Sequence, residues 1–446
     1  MSQTGDTVAG AAVEKIAVEE IAAGGSTVEK IEVDTEKIEV DTESSFGALL
    51  TADPASAYQR LREAGVCPVS RDDGTPAWVV ARHAEVARLL ADPALSMDKR
   101  SSRHGFTGFG FPPVLDRNLL NMDDPDHARI RRLAAGAFTP RRIEAQRERI
   151  KQHVDTLLDG LGARDGADAA EPVDLIAGFA EPLPVYVICE LIGIPAEDGA
   201  RFRRWTTVLQ STRREDRDAA RAAVGQMIAY LTGLIAARRA EPRDDLLSAL
   251  IAARDGGERL TENELVSLLF LILWAGYENS VHLVANSVVS LLAQPEQLDV
   301  IRRQPDPYGD AMGRAVEELL RHDQPVIMAI RRFPVEDVEV AGARIPAGDM
   351  VQLCLASANS DPAVFTEPER LDLARDPNPH FGLGQGPHYC LGAALARLEA
   401  RIAVWTLFHR YPRLRLAVPA GRLRYKRDYR QHGLLELPVL LTSDGD

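Results

Sequence analysis

Residues 380–394 read His-Phe-Gly-Leu-Gly-Gln-Gly-Pro-His-Tyr-Cys-Leu-Gly-Ala-Ala. Gly382, Gly384 and Gly386 imitate a dinucleotide-binding loop. The G-x-G-x-x-G pattern, however, requires glycine at 387, where this chain has Pro387, and no suitable strand precedes it. The stretch instead reads as a glycine-rich turn that delivers Cys390 to the start of a helix. The N–H groups of Leu391 and Gly392 then point at the sulfur and, with the helix dipole, favour thiolate. A thiolate in a bare glycine loop suits nucleophilic attack, or ligation of a flat, bulky cofactor that needs close backbone approach. It is equally compatible with a buried cysteine at a packed loop–helix junction.

The next informative segment lies upstream. Thr261-Glu-Asn-Glu264 is a capping box, and the helix that it opens runs to about Leu292, ahead of Gln294-Pro295. Some 32 residues at 1.5 Å each give a rod of about 48 Å, enough to cross a domain. Its centre, LLFLILWAG, is apolar on every face, so the helix is expected to be buried. Ala275-Gly276 makes a thin wall within it. Glu278, Asn279 and Ser280 follow as a short polar relay; the ordinary alternative is that Glu278 turns outward to a base.

Around these segments, Asp310–His322 reads as a helix carrying Glu318 and Arg321 at i,i+3, and Leu391–His409 as a final long helix. VEDVEVAGARIPAGDMVQLCLASAN, 335–359, alternates as short antiparallel strands. Residues 126–161 and 172–254 read as helical, and 102–118 as a long Gly/Phe-rich loop of the kind that forms lids or binding segments. The fold class is mainly α with small antiparallel β-sheets, in one large domain over residues 46–446.

Residues 1–45 differ. They hold eleven acids and three lysines, and EKIEVDT occurs at 29–35 and again at 36–42. This reads as a solvated, disordered acidic extension rather than a strand or a docking tail.

Composition excludes several classes. The 446 residues are 45% hydrophobic and 26% charged, with a net charge of −14, which argues against a nucleic-acid binder. Cys67, Cys189, Cys354 and Cys390 form no C-x-x-C pair, which removes a disulfide framework, a zinc ribbon and an all-cysteine iron–sulfur site. The first residues carry acids where a secretory signal needs bases, and no apolar run approaches membrane-spanning length. The expected setting is the cytoplasm, with no membrane partner.

Taken in order, these segments resemble the cytochrome P450 family, and specifically its soluble bacterial branch. GQGPHYCLG is similar to the family's cysteine loop, ELLR to its Glu-x-x-Arg pair, and AGYENS to its oxygen-activating turn. MDDPDHARIRRL resembles the helix that reaches the haem, and NSDPAVFTEPERLDLARDPNPHFG the meander before the cysteine. The resemblance covers residues 46–446.

It implies a cytochrome P450 fold with the long helix over a haem b, and Cys390 as the axial thiolate on iron, beside Gly392. His127, Arg131, Arg332 and His388 are implied as holders of the haem propionates. Glu318 and Arg321, with Arg370 of the meander, are implied as a buried brace. Glu278 and Asn279 are implied in proton delivery. Trp274, Ala275, Ile327, Met328, Ala329 and the loop 102–118 are implied as pocket lining, with ordinary helix packing the alternative for Trp274. Electrons would come from a ferredoxin and its reductase, docking on a basic patch of Arg129, Arg132, Arg141, Arg142, Arg397 and Arg401. The implied activity is O₂-dependent hydroxylation, or oxidative coupling, of a small organic molecule, a bacterial natural-product intermediate. The rival is a non-catalytic haem-binding helper or sensor. Three positions depart from the family pattern: Leu383 stands for Phe, Asn279 for Thr and Ser360 for the meander's Arg. Asn279 matters most, because an amide relays a proton less readily than a hydroxyl.

Overall fold

The computed structural model describes residues 54–70, 74–106, 111–162, 171–209, 217–254, 257–426 and 428–441. The acidic repeat lies outside the described residues.

Helix α1 (Pro54–Ala64) leads into β1 (Val66–Ser70), β2 (Pro76–Val80) and α2 (His83–Leu90). After β3 (Leu95–Ser96) come α3 (Pro113–Asp116), α4 (Asp126–Ala137), α5 (Pro140–Glu144) and α6 (Arg147–Gly162). Next are β4 (Val173–Asp174), α7 (Pro182–Ile192), α8 (Gly199–Leu209), α9 (Arg217–Ala240) and α10 (Leu246–Ala252). The long helix is α11 (Glu262–Ala293), followed by α12 (Pro295–Arg302) and α13 (Asp310–His322). Strands β5 (Phe333–Pro334), β6 (Val338–Val340), β7 (Ala343–Ile345) and β8 (Met350–Leu353) precede α14 (Leu355–Asn359) and α15 (Ala393–Arg410). Strands β9 (Arg415–Leu416) and β10 (Pro438–Leu440) close the described chain.

The capping box forms as expected: the Glu264 N–H donates to Thr261 Oγ1 at 3.3 Å and the Thr261 N–H donates to Glu264 Oε2 at 2.8 Å. Leu265 to Leu271 are buried without interruption, whereas Ile272, Trp274, Ala275 and Gly276 in the second half of the apolar centre are half-buried. Helices α3, α7, α9 and α15 pack along it. By length and composition alone α9 and α11 could cross a membrane, but α11 spends its apolar surface on the protein core.

The sheets require one correction. β6 and β7 pair antiparallel, but β8 joins β2 in parallel, Trp78 opposite Val351, while β1 pairs antiparallel with β2. All four residues of β8 are buried, as a strand covered on both faces must be. The alternation also ends sooner than expected: Leu355–Asn359 is the helix α14.

Candidate active site

The cysteine loop is held by its own backbone. The Gly384 N–H donates to the Phe381 carbonyl at 2.8 Å, and the Cys390 N–H to the Leu383 carbonyl at 3.0 Å. Gly386 has φ of +73°, and a Cβ there would stand 2.9 Å from the Leu90 carbonyl oxygen. A Cβ on Gly382 would overlap the Leu320 carbonyl. These glycines let the loop lie flat on α2 and α13. Burial pushes the Cys390 thiol up, and the Gly392 N–H with Arg131 and Arg397 pulls the other way.

Behind the loop sits a buried ionic brace. Glu318 is fully buried and accepts from Arg321 Nε and Nη2, each at 2.8 Å. Arg375 Nε lies 3.1 Å from both Glu318 oxygens, while Asn378 and the Asp372 N–H complete the shell. Arg370 is not part of it: its side chain is exposed and pairs with Glu367 at 3.2 Å, and only its carbonyl reaches the brace. Two arginines five residues apart in an irregular segment cannot be told apart by spacing. The meander turns Arg375 inward.

Above Cys390 lies a mainly apolar cavity of about 330 Å³. Its floor includes Leu383, Gly384, Cys390, Leu391 and Gly392, and one wall is the stripe Leu268, Ile272, Ala275, Gly276, Asn279 and Leu283 of α11. Met328 and Ala329 line it as expected; Ile327 does not, being buried with its N–H on the Arg430 carbonyl at 2.8 Å. Trp274 and Glu278 are absent from the lining as well. They stand four residues apart on a neighbouring stripe of the helix, about 100° round from Ala275 and Asn279. Trp274 packs edge-on against Phe111 and stacks on Phe270, the helix-packing alternative. Glu278 accepts from Lys426 Nζ at 2.6 Å. Among the described residues of the loop 102–118 none reaches the cavity, whereas Leu119 and Leu120 do; residues 107–110 lie outside the described set.

One end of the cavity is cationic. Arg131, Arg332 and His388 line it, and His127 packs behind, its ring centroid 4.1 Å from that of His388. Arg131 donates to the Tyr389 carbonyl. His127 Nε2 and Arg332 Nε are buried with no hydrogen-bond partner. Burial, then the neighbouring His127 and Arg332, drive His388 down to about 3, and burial brings Arg332 down to about 10. Two guanidiniums at this end, Arg131 half-buried and Arg332 buried, with an orphaned Arg332 N–H and two imidazoles, call for an anion.

Four polar residues of the cavity and brace stand out among those that the sequence reading missed. Arg375 is one. Glu399 is another, set on the Gly392–Leu395–Ala396 face of α15, a position that helical spacing offers; burial raises its carboxyl to about 8. Arg430 and Gln431 arrive from the C-terminal segment with no local signal. Gln431 Nε2 donates to Asn279 Oδ1 at 3.2 Å, and Asn279 Nδ2 donates to the Ala275 carbonyl at 3.1 Å.

Comparison with known proteins agrees with this geometry. The cytochrome P450 family model matches residues 307–417. Cytochrome P450 107B1 of Saccharopolyspora erythraea is 41% identical over 405 residues, covering 89% of this chain and 96% of that one. The cytochrome P450 monooxygenase PikC of Streptomyces venezuelae is 41% identical over 398 residues, 89% of this chain and 92% of its own length. Among solved structures, the Bacillus subtilis polyketide-synthase cytochrome P450 PksS superposes with a TM-score of 0.80 at 36% identity, covering 88% of this chain and 97% of that one. The chain belongs to the cytochrome P450 family. It is an oxidoreductase of the monooxygenase kind, with the mainly helical fold expected for that family and a haem as its prosthetic group.

Proposed function

We propose that the cavity between α11 and the cysteine loop would hold haem b, with Cys390 as the residue that would bind its iron, and that the chain oxidises a natural-product intermediate held against α11. The observation that carries this reading is the placement of Cys390 under an apolar cavity whose one cationic end has buried, unpartnered donors. His127, Arg131, Arg332 and His388 would meet the two propionates, since an anion satisfies the orphaned Arg332 N–H and offsets the two guanidinium charges. When bound, a thiolate-ligated haem supplies the activation of O₂ for insertion into a substrate C–H bond.

The chain's own residues set the rest. Leu268, Ile272, Ala275, Met328 and Ala329 exclude water from the reacting end and bind an apolar body. Ala275 and Gly276 leave room for a bulky substrate close to the floor. Asn279 stands at the cavity wall with its amide already bonded on both sides, so it orders neighbouring groups and does not itself pass a proton along. The polyketide biosynthesis cytochrome P450 PksS of Bacillus subtilis, 37% identical, supports a polyketide-like substrate, and the mycinamicin IV hydroxylase/epoxidase of Micromonospora griseorubida, 40% identical, supports a natural product.

Electrons are supplied by a ferredoxin and its reductase. Of the basic patch expected for docking, Arg397 is bound to Glu317 at 2.6 and 2.8 Å and Arg129 is paired with Glu264; Arg132 on α4 and Arg141 on α5 are exposed to solvent. A cytoplasmic setting suits the cysteines: burial raises Cys67 to about 11 and Cys189 and Cys354 to about 12, and none is paired in a disulfide.

The test is spectral. The reduced protein with carbon monoxide should show the far-red-shifted Soret band of thiolate ligation, and C390S should lose it while keeping its helical content. Polyketide macrolactones titrated into the ferric protein should shift its spin state and, with surrogate redox partners, yield oxygenated product. A non-catalytic helper would give the carbon monoxide spectrum and no product with any precursor; the doubly engaged amide of Asn279 is the observation on its side.

A further inference from the structure

The described residues 424–426 and 428–435 fold as a hairpin against α11. The Lys426 N–H donates to the Gly433 carbonyl and the Leu435 N–H to the Arg424 carbonyl, each at 2.8 Å, and Tyr425 forms an antiparallel bridge with Leu434. The inner strand is tied down by backbone: the Ile327 N–H donates to the Arg430 carbonyl and the His432 N–H to the Pro325 carbonyl, both at 2.8 Å. It places Arg430 and Gln431 in the cavity wall. Gly433 lies against the buried His282 ring more closely than any side chain would permit.

The outer strand has fewer holds. Tyr425 stacks on His432 with ring centroids 4.5 Å apart. Lys426 reaches across to α11, where its Nζ sits 2.6 Å from Glu278 Oε1, with side chains 30% and 17% exposed. Glu278 is one residue from Asn279, the partner of Gln431. Two adjacent residues of α11 therefore grip the two strands of one hairpin, one by charge and one by an amide.

We propose that the Glu278–Lys426 ion pair is a clasp that holds this hairpin closed against the cavity wall at Asn279 and Gln431, and that Glu278 is a positioning residue for Gln431 and Asn279 rather than a source of protons. This rests on the reading of the cavity as the substrate site above a haem. Geometry supports it in three ways. Glu278 does not line the cavity. Its carboxylate already has a cationic partner, with His282 Nε2 a further 3.6 Å neighbour. The residue that occupies it belongs to the same hairpin that carries two cavity-lining side chains.

The test uses the haem-loaded protein and three variants, E278Q, K426M and the charge-reversed double variant E278K/K426E. Two readouts report on the hairpin. The first is limited trypsin cleavage at Arg424 and Arg430. The second is the ratio of affinities for 4-phenylimidazole, whose ring must press on the cavity wall, and imidazole, which need not. Loss of a half-buried ion pair is expected to speed cleavage about fivefold and to weaken 4-phenylimidazole about as much relative to imidazole. The double variant should restore both. The clasp is overturned if E278Q and K426M keep wild-type cleavage and affinity ratio, or if E278Q alone enlarges the solvent deuterium isotope effect on turnover while leaving the hairpin readouts unmoved. A chain that bound no haem would fail the carbon monoxide spectrum instead, and the trypsin readout would still judge the clasp.

Discussion

Arg375 and Glu318 form a two-oxygen contact, Nε lying 3.1 Å from each carboxylate oxygen, inside the network that holds the cysteine loop. Arg375 is nearly buried and Glu318 wholly so. Removing one cation from a buried carboxylate leaves charge that nothing else neutralises in full, although Arg321 stays. R375A should therefore lose about 3 kcal/mol of stability. R370A, which removes an exposed side chain, should stay within about 0.5 kcal/mol of wild type. Urea denaturation of both variants checks the pair; equal losses would show that the meander is braced differently.

Gly382 gives a sharper prediction. A methyl group there would meet the Leu320 carbonyl, which belongs to the backbone of α13 and cannot rotate away. G382A should cost about 1–3 kcal/mol. It should also lower the fraction of thiolate-ligated haem in purified protein, because the loop must lift off α13. Gly276 makes the opposite case: a methyl group there would meet the Ile188 Cδ1 tip at 2.9 Å, a side-chain end that can turn. G276A should fold normally and select for smaller ligands, measured by spin-state titration.

Stability should have an acid limb traceable to Glu317. Burial works to raise its carboxyl, but His380 and Arg397 outweigh that and hold it at about 2. The unfolded chain binds this proton near the ordinary carboxylate value and the folded chain does not, so the stabilisation is complete above that value and fades as pH falls toward about 2. E317Q should flatten the decline between about pH 5 and pH 2. Melting temperatures across that range measure it; an unchanged slope would sink the assignment.

Arg397 is a poor reporter of partner docking. R397E would place two acids together at Glu317 and strip a donor from the Tyr389 hydroxyl, now 2.8 Å away, so a loss of reduction would report damage. R132E and R141E change exposed positions. Each should slow reduction by a ferredoxin severalfold at low salt, and the effect should shrink as salt is added. Stopped-flow reduction that ignores both substitutions and salt would remove this face as the docking surface.

Much of this architecture can be read in the chain. Regular elements announce themselves by period and caps, so α11, α13 and α15 fall where Thr261, Asp310 and the stretch after Cys390 put them. Cys390, Ala275 and Asn279 are legible because each sits in a short local motif. What local reading cannot supply is direction in irregular backbone. Arg370 and Arg375 are the same residue type in the same loop, and only the path of the meander chooses between them. Trp274 and Glu278 are one residue from cavity-lining positions, and a single helical step turns them away. Gln431 carries no signal at all, since its role comes from a hairpin that returns to α11 from a distant part of the chain.

The parallel pairing of β2 with β8 sets Trp78 beside Val351, and Trp78 Nε1 also donates to Asp349 Oδ2 at 2.9 Å. Synthesis runs from the amino end, so this sheet has the β2 edge unpaired until most of the polypeptide has left the ribosome. The early hairpin β1–β2 must wait with an exposed apolar edge, and a two-stranded ribbon is marginal in water. Nascent chains stalled before residue 350 should therefore leave this corner protease-sensitive, and those released after it should not.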